Sequence, residues 1–263
     1  MATVPAAVAG FAKAQGEGEF DADGTMVNAT EGWREAKIGI FAKRERGESV
    51  ETSQWAERVL PAPTARFAFA RIANCEDFVA DWGPTAARLG VDPKRENLTV
   101  LGDGAEWIWK RAEEQFPGAS QVLDIFHALK YVSDGAKGIL GKGTPEVEQL
   151  TDRSRALLLS DGYPGIETWV GELLGMKVKG GDGASLGSML NYLKGHEDRL
   201  NYALRLKRGQ SIGTGMVEGA AKNRIGHRLK ANNAEWRVEN VGKMAGLCSA
   251  ITSNCWDTYW QGK

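Results

Sequence analysis

Two short apolar runs in the middle of the chain each end in an aspartate, and this pattern constrains the fold more than any other feature of the sequence. The first run stops at Gly102-Asp103-Gly104, where the glycines permit a tight turn. A helical pattern then extends to Pro117-Gly118, and the second run, Val122-Leu123, ends at Asp124. Ligands of open α/β sheets gather at the carboxyl ends of strands. We therefore expect two neighbouring strands to deliver carboxylates to one edge of a sheet.

Length and composition indicate a globular chain with a sizeable core. The 263 residues are 42% hydrophobic and 25% charged, which suits one large domain or two modest ones. No apolar run approaches the roughly 20 residues that span a bilayer, and the N-terminus does not resemble a signal peptide, so we predict a cytoplasmic protein without membrane association. Three cysteines without CxxC spacing are predicted to be reduced thiols.

Three further strands are predicted before the central stretch. They are separated by turn residues and followed by a helix at Glu76–Leu89, and they cover Phe20–Val27, Trp33–Ala42 and Ala65–Ile72. The resulting order is βββαβαβ, three antiparallel strands followed by alternating helix and strand. This is the ribonuclease H-like arrangement of an α/β mixed sheet, in which the first and fourth strands are adjacent.

That adjacency would bring Asp23 of the first strand close to Asp103 at the end of the fourth. Two carboxylates at this place could hold divalent metal ions, because Mg²⁺ prefers carboxylate oxygens and keeps positions open for water and phosphate. Asp21 is an alternative to Asp23, since period-2 alternation puts both on one face. Asp21-Ala22-Asp23 could also be the DxD motif of a glycosyltransferase, although that interpretation leaves Asp103 unexplained.

The sequence suggests four segments. We predict a flexible N-terminal tail or remnant over 1–18, the first part of the core over 19–131, a helical insertion over 132–208, and C-terminal helices completing the core over 209–263. The insertion is predicted from leucine and tryptophan residues that fit a 3.6-residue period better than alternation.

A basic field lies near the C-terminus although the formal net charge is only -1. The stretch from Lys194 to Lys230 has nine basic and three acidic residues, an excess of six positive charges. Such a run is commonly a solvated helical face, and it can also be a surface that contacts phosphates. Four of its residues are our candidates for DNA binding: Lys222, Arg224, Arg228 and Lys230.

Glu218 lies within this basic field, after the glycine-rich approach Ser211-Ile-Gly-Thr-Gly, in the first turn of a predicted helix from Met216 to Leu229. An early carboxylate suits the helix dipole, and Lys222 four residues later could simply pair with it at the surface. Together with Asp23 and Asp103, Glu218 would instead complete a site with two metal ions that cuts or joins phosphodiesters.

Three separate segments resemble a known family. The runs GDGAEWIWKRAEEQFPGASQVLDIFHALKYV and SIGTGMVEGAAKNRIGHRLK, with the ending SNCWDTYW, are similar to bacterial insertion-sequence transposases of the ISKra group. These are DDE transposases related to the Mutator-like class. The resemblance covers about Phe20 to Trp260 and implies a ribonuclease H-like catalytic core interrupted by a helical insertion.

The resemblance also implies the site residues and the partners. The family's acids correspond to Asp23 in DADGT, Asp103 in GDGAEW and Glu218 in GMVEGA, which would hold Mg²⁺ or, in its place, Mn²⁺. Asp124 and His127 match a DxxH element of these transposases and could serve as accessory residues, or Asp124 could cap a helix with His127 packed beneath it. The expected partners are DNA, as transposon ends and target, and further copies of the chain in a homodimer or higher oligomer on DNA.

Relatives usually carry a longer segment before the first catalytic aspartate, which is expected to help recognise transposon ends, so the chain could be shortened at its N-terminus. A competing hypothesis is a catalytically idle, transposase-derived protein that binds DNA or regulates through the basic field. Zinc binding is disfavoured, because His127, His196 and His227 are scattered without the spacing of zinc ligands.

Overall fold

The protein is a mixed α/β chain built around one five-stranded sheet. The computed structural model describes residues 5–92, 97–140, 145–175, 183–230 and 234–261. The strands are ordered β3-β2-β1-β4-β5, with β1 antiparallel to β2, β2 antiparallel to β3, and β1 parallel to β4. Their bounds are β1 Glu17–Ala29, β2 Gly32–Arg44, β3 Ala65–Ile72, β4 Thr99–Gly102 and β5 Ser120–Leu123.

The α-helices are numbered α1 to α13 in chain order. They are α1 Pro5–Lys13, α2 Cys75–Val79, α3 Trp82–Leu89, α4 Glu106–Gln115, α5 Ile125–Leu140, α6 Pro145–Asp161, α7 Tyr163–Gly175, α8 Gly183–Lys194, α9 Tyr202–Lys207, α10 Gly215–Ala220, α11 His227–Leu229, α12 Val238–Thr252 and α13 Trp256–Gln261. A π-helix, Ala221–Gly226, joins α10 to α11. Short 3-10 turns cover Thr52–Gln54 and Glu197–Arg199. Among the described residues, no helix is both long and apolar enough to cross a membrane.

One face of the sheet is covered by aromatic side chains. Phe20 of β1 is fully buried, and its ring centroid lies 4.5 Å from that of Phe41, 4.7 Å from that of Trp82 and 5.3 Å from that of Phe116. These residues come from β2, α3 and the end of α4, so the cluster attaches the helices to the strands. Each such buried side chain contributes roughly 1.5–3 kcal/mol from the hydrophobic effect.

The opposite face of the sheet packs against the C-terminal helices. Ile38 and Ile40 of β2 belong to a buried cluster with residues of α10, the π-helix, α11 and α12: Val217, Ala220, Ala221, Ile225, Leu229, Val241, Ala245 and Cys248. In the antiparallel register, Asp21 lies opposite Ile40 and Asp23 opposite Ile38, and paired residues share a face. The carboxylates of β1 therefore project toward the side on which the Glu218-bearing helix packs.

The chain divides into two compact units. The first contains 1–45, 61–120 and 214–263, and the second contains 46–60 and 121–213. The described part of 132–208 consists of helices, 3-10 turns and connections, without a strand. The longer segment of the second unit begins at 121, earlier than the predicted insertion. The unit also includes 46–60, which lies far from that segment in the sequence.

Specific contacts attach 46–60 to its unit. The ring of Trp55 lies 6.0 Å from that of Phe126, and the Arg58 guanidinium donates a 3.2 Å hydrogen bond to the carbonyl of Gln210. Gly209 has a φ of 64°, and a Cβ there would lie 2.0 Å from the Gly47 carbonyl oxygen, so only glycine fits this approach. Residues 46–60 lie outside the insertion that we predicted over 132–208, and nothing local in their sequence marks them as part of a helical unit.

Within 1–18, where we predicted a flexible tail or remnant, the described residues form secondary structure. Residues 5–13 form α1, and β1 begins at Glu17. Phe11 is 1% exposed, and the Lys43 ammonium lies 6.0 Å from the centre of its ring. One buried aromatic residue anchors a helix whose other residues are mostly alanine, glycine and valine, a composition with little periodicity to detect.

Candidate active site

Asp23 and Glu218 line the same cavity, which has a volume of about 620 Å³. The carboxyl-terminal half of β1 forms one wall, and α10 with the π-helix and α11 forms the other. All of the lining residues belong to the first compact unit. They are Asp23, Gly24, Thr25, Glu218, Ala221, Lys222, Gly226, His227 and Lys230.

Asp23 is half-buried within β1, and its Oδ1 accepts a 2.7 Å hydrogen bond from the backbone N–H of Gly24. The Phe20–Ala22–Gly24 face of the strand is the aromatic side, so alternation turns Asp23 toward the C-terminal helices. A half-buried carboxylate held by the central strand of a sheet has a fixed direction and remains accessible to a ligand.

Glu218 is exposed in α10, where its backbone N–H donates a 3.0 Å hydrogen bond to the carbonyl of Thr214. Val217 and Ala220 on either side of it are buried in the helical cluster, and this burial fixes the rotation of the helix. The Glu218 side chain is consequently directed away from the core and into the cavity, from the wall opposite Asp23.

The π-helix determines which residues follow Glu218 along the cavity. A π turn contains more residues than an α turn, and such segments are frequent at functional sites. Lys222 lies four positions after Glu218, and His227 lies five positions after Lys222, matching the wider turn. Ile225 and Leu229 remain fully buried over the same stretch. The π-helix thus brings His227 into line with Glu218 without disturbing the core.

Asp103 lies just after the end of β4, outside the set of residues that line the cavity. Asp21 is paired with Leu101 in the parallel register, so Asp103 follows two residues later at the level of Asp23. Its Oδ1 accepts a 3.0 Å hydrogen bond from the N–H of Ala105, at the start of α4. Within the described ranges, no group of three or more acidic, histidine or cysteine side chains is arranged to hold a metal ion. The structure places Asp23 and Glu218 in the lining of one cavity, and it places Asp103 just after the end of the adjacent strand, outside that lining.

Asp21 is distinguished from Asp23 by burial. It is 1% exposed, and it is not among the residues that line the cavity. Both lie on one face of β1, as alternation predicts, but Asp21 is covered by the helical side of the first unit. Of the two aspartates, Asp23 is therefore the one with access to a ligand in this cavity.

Asp124 and His127 belong to the second unit. Asp124 is 1% exposed, and its Oδ1 accepts a 2.8 Å hydrogen bond from the N–H of His127, which satisfies a donor in the first turn of α5. The same oxygen lies 3.4 Å from Nδ1 of His127. The capping role that we considered for Asp124 is thus observed, and the accessory functional role stays a prediction.

The four candidate DNA-binding residues are exposed on the π-helix and the residues that follow it. Lys222 and Lys230 line the cavity with Asp23, whereas Arg228 lines a different cavity. Burial raises the pKa of the Cys248 thiol, and the charges of Arg228 and Arg224 oppose this rise, so both guanidinium groups lie close enough to α12 to influence it. This segment presents a concentrated positive charge next to two carboxylates.

His227 and Thr25 also line the cavity, although we did not predict them as site residues. For Thr25, alternation from Asp23 was an available signal, whereas the position of His227 depends on the π-helix, which has no sequence signature. A carboxylate pair beside basic side chains can bind a divalent cation together with a phosphate. Mg²⁺ prefers oxygen ligands, and the donor types of Asp23 and Glu218 fit that preference. Comparison with models of known protein families finds no match, and a search of curated proteins finds none either.

Proposed function

We propose that this chain is a DDE-type transposase that catalyses metal-dependent cleavage and transfer of DNA strands for an insertion sequence. The observation that carries the proposal is the shared cavity of Asp23 and Glu218, which have basic side chains around them. The strand order β3-β2-β1-β4-β5, with β1 parallel to β4, supports a ribonuclease H-like core. The resemblance of the sequence to ISKra-group transposases agrees with both features.

Each part of the cavity has a role in this proposal. Asp23, Glu218 and Asp103 would hold Mg²⁺, which when bound polarises a phosphoryl oxygen and lowers the pKa of a coordinated water. Asp23 provides a fixed carboxylate, because the backbone N–H of Gly24 orients it. Lys222 and Lys230 neutralise the phosphate charge that would otherwise be repelled by the carboxylates.

The remaining basic residues position the DNA. Arg224 and Arg228 project from the same segment and would contact backbone phosphates rather than base edges, which orients a strand without reading its sequence. DNA ends and target DNA are the proposed substrates, and a homodimer or higher oligomer on DNA is the proposed assembly.

The test is nicking of a supercoiled plasmid in the presence of Mg²⁺ or Mn²⁺. Glu218→Gln and Asp23→Asn remove a charge while preserving shape, so we expect cleavage to fall to the metal-free level and DNA binding to persist. Glu239→Gln is the matched control, because Glu239 is exposed on α12 and pairs with Lys243 at 3.8 Å, away from the cavity. Full cleavage by Glu218→Gln would overturn the proposal.

A second candidate is a catalytically idle DNA-binding protein derived from a transposase. It is favoured by one observation, the position of Asp103 outside the set of cavity-lining residues. The same assay separates the two candidates. Salt-dependent DNA binding by the unaltered chain without metal-dependent nicking would establish the idle protein, whereas nicking that depends on Glu218 would exclude it.

A further inference from the structure

A second cavity, of about 680 Å³, lies on the other side of the basic segment. It is formed by α12, the turn into α13, and one residue of α11. Its lining residues all belong to the first unit, and the functional site described above uses only one of them, Arg228. They are Arg228, Met244, Leu247, Cys248, Ile251, Asn254, Trp256 and Asp257.

The floor of this cavity is one face of α12. Met244, Leu247 and Ile251 recur at helical spacing and are only partly buried, so the helix presents an apolar surface that its own unit does not fully cover. Cys248 lies between them and is 3% exposed. A planar apolar ligand could be bound here by dispersion and by removal of apolar surface from water.

Trp256 forms an aromatic wall. Trp256 is 39% exposed. Its ring makes an edge-to-face contact with that of Trp260, with the ring centroids 5.5 Å apart. The chain reaches Trp256 through Asn254, whose φ of 53° is left-handed and whose N–H donates to the carbonyl of Ile251. Asparagine tolerates this conformation better than most residues. The turn therefore places the indole beside the cavity.

The rim is polar. Arg228, Asn254 and Asp257 supply a guanidinium, an amide and a carboxylate, which together offer hydrogen-bond donors and acceptors around an apolar floor. An aromatic face, an apolar floor and a few polar groups suit a nucleobase, because every base has a stacking face and a polar edge. A wholly apolar ligand would not use these polar groups.

The two cavities flank one short helix. His227 and Lys230 line the cavity that contains Asp23 and Glu218, whereas Arg228, between them in the sequence, lines the cavity that contains Trp256. A DNA strand whose phosphates contact this segment would have its bases close to either cavity. The position of Arg228 thus connects phosphate binding with the aromatic wall.

We propose that the cavity lined by Trp256 binds a single unstacked nucleobase of the DNA strand held at the cavity of Asp23 and Glu218. The base stacks on Trp256 above the apolar face of α12, and Arg228 contacts the adjoining phosphate. This inference rests on the proposed function for its substrate. The proposed function does not include such a site, in which one base is held out of the stack next to the reacting phosphate.

The test uses a short duplex with a single-stranded tail that carries a fluorescent adenine analogue, whose emission falls on stacking. With the unaltered chain we expect strong quenching on binding. Trp256→Ala should abolish the quenching and weaken affinity for the tailed duplex by about 5- to 150-fold, the range of one base–aromatic stack, while affinity for a blunt duplex changes little. Trp33→Ala is the matched control, because Trp33 is 62% exposed and lies outside this cavity.

A second variant does not depend on the fold tolerating loss of Trp256. Leu247→Glu keeps Trp256 and puts a carboxylate into the apolar floor, where it disfavours the base and repels the adjoining phosphate, so it should also prevent quenching. Absence of quenching with the unaltered chain, or quenching retained in a folded Trp256→Ala or Leu247→Glu protein, would overturn the inference. A dimer that Trp256→Ala converts to a monomer, without quenching in either protein, would make the cavity an interface between copies instead. Plasmid nicking reports the proposed function independently of these fluorescence results.

Discussion

Asp23 of β1 and Glu218 of α10 line one cavity although most of the chain separates them in the sequence. Two independent packing patterns produce this relationship. Alternation along β1 places Asp23 opposite Ile38 on the face that the C-terminal helices cover, and burial of Val217 and Ala220 turns Glu218 toward the same place. Packing of the core on this side of the sheet consequently determines where both carboxylates lie.

The two aspartates of β1 should respond differently to substitution by asparagine. Asp23→Asn removes a carboxylate from the cavity wall, so we expect metal-dependent nicking to be lost with little change in urea stability. Asp21→Asn changes a residue that is 1% exposed, so the expected effect is on the free energy of unfolding, with nicking retained in the folded protein. Nicking rates and urea midpoints measured on both variants check this. The reverse result would assign the site to Asp21.

Local patterns predict the sheet well. The third strand was expected at Ala65–Ile72 and is observed there, and the first, second, fourth and fifth strands differ from expectation only at their ends. Alternating or continuous apolar runs bounded by glycine and proline identify strands because burial imposes that spacing. The shared face of Asp21 and Asp23 follows from the same rule.

Features that depend on distant contacts were not predictable. Helix α1 is anchored by the single buried ring of Phe11, and 46–60 joins the second unit through Trp55 and Arg58. The π-helix rotates α11 relative to α10, whereas the sequence predicts one continuous α-helix from Met216 to Leu229. The helix predicted over Glu76–Leu89 is divided at Ala80-Asp81, and Pro84 lies within the first turn of α3, where proline is tolerated.

Removing the extra residue of the π-helix should inactivate the site without unfolding the chain. Asn223 is exposed within the π-helix, and its deletion would favour a regular α turn. Val217 is buried before the deleted position, and Ile225 and Leu229 are buried after it. The deletion would turn the two ends of the segment by about 100° relative to each other, which lowers stability and moves Glu218 out of line with His227. We expect nicking to be lost while the circular dichroism spectrum is preserved. Asn223→Ala keeps the residue count and should remain active; equal loss in both variants would contradict this role.

The aromatic cluster should dominate the stability of the first unit. Phe20 is fully buried and contacts rings from β2, α3 and α4, so Phe20→Ala leaves a cavity that several elements cannot fill. We expect a loss of about 3–5 kcal/mol in the free energy of unfolding, measured by urea denaturation. Met26→Ala is a control on the same strand, because Met26 is 46% exposed and should cost far less. Similar losses for the two variants would show that the cluster is not the main source of stability.

Tyr202 should make the second unit sensitive to alkaline pH. Its hydroxyl donates a 3.0 Å hydrogen bond to the carbonyl of Leu123, and burial, with a smaller contribution from the charge of Asp124, raises its pKa well above the usual range. The unfolded phenol ionises near pH ~10 while the folded one stays neutral, so stability present below that pH is lost as pH rises above it. Tyr202→Phe should lower stability at neutral pH by about 1 kcal/mol and flatten the decline above pH ~10. Urea midpoints across this range test both effects, and an unchanged decline would refute the assignment.

Arg224 and Arg228 should control DNA affinity and its dependence on salt. Arg224 and Arg228 are exposed beside the cavity of Asp23 and Glu218, and contacts to phosphates release counterions without reading sequence. Replacing both with alanine should weaken binding to unrelated duplexes alike and reduce the slope of log affinity against log salt by about one unit per contact.

Arg88→Ala is the matched control, because Arg88 is exposed on α3, a helix that packs on the aromatic face of the sheet. It removes one positive charge, against two in the double variant, and should leave the salt slope unchanged. The net charges of these two proteins differ by only one. A large difference between their salt slopes would therefore come from the position of the removed charges along the basic segment. An unchanged slope in the Arg224, Arg228 double variant, or an equal change per charge in Arg88→Ala, would show that DNA responds to the overall charge of the chain and not to this segment.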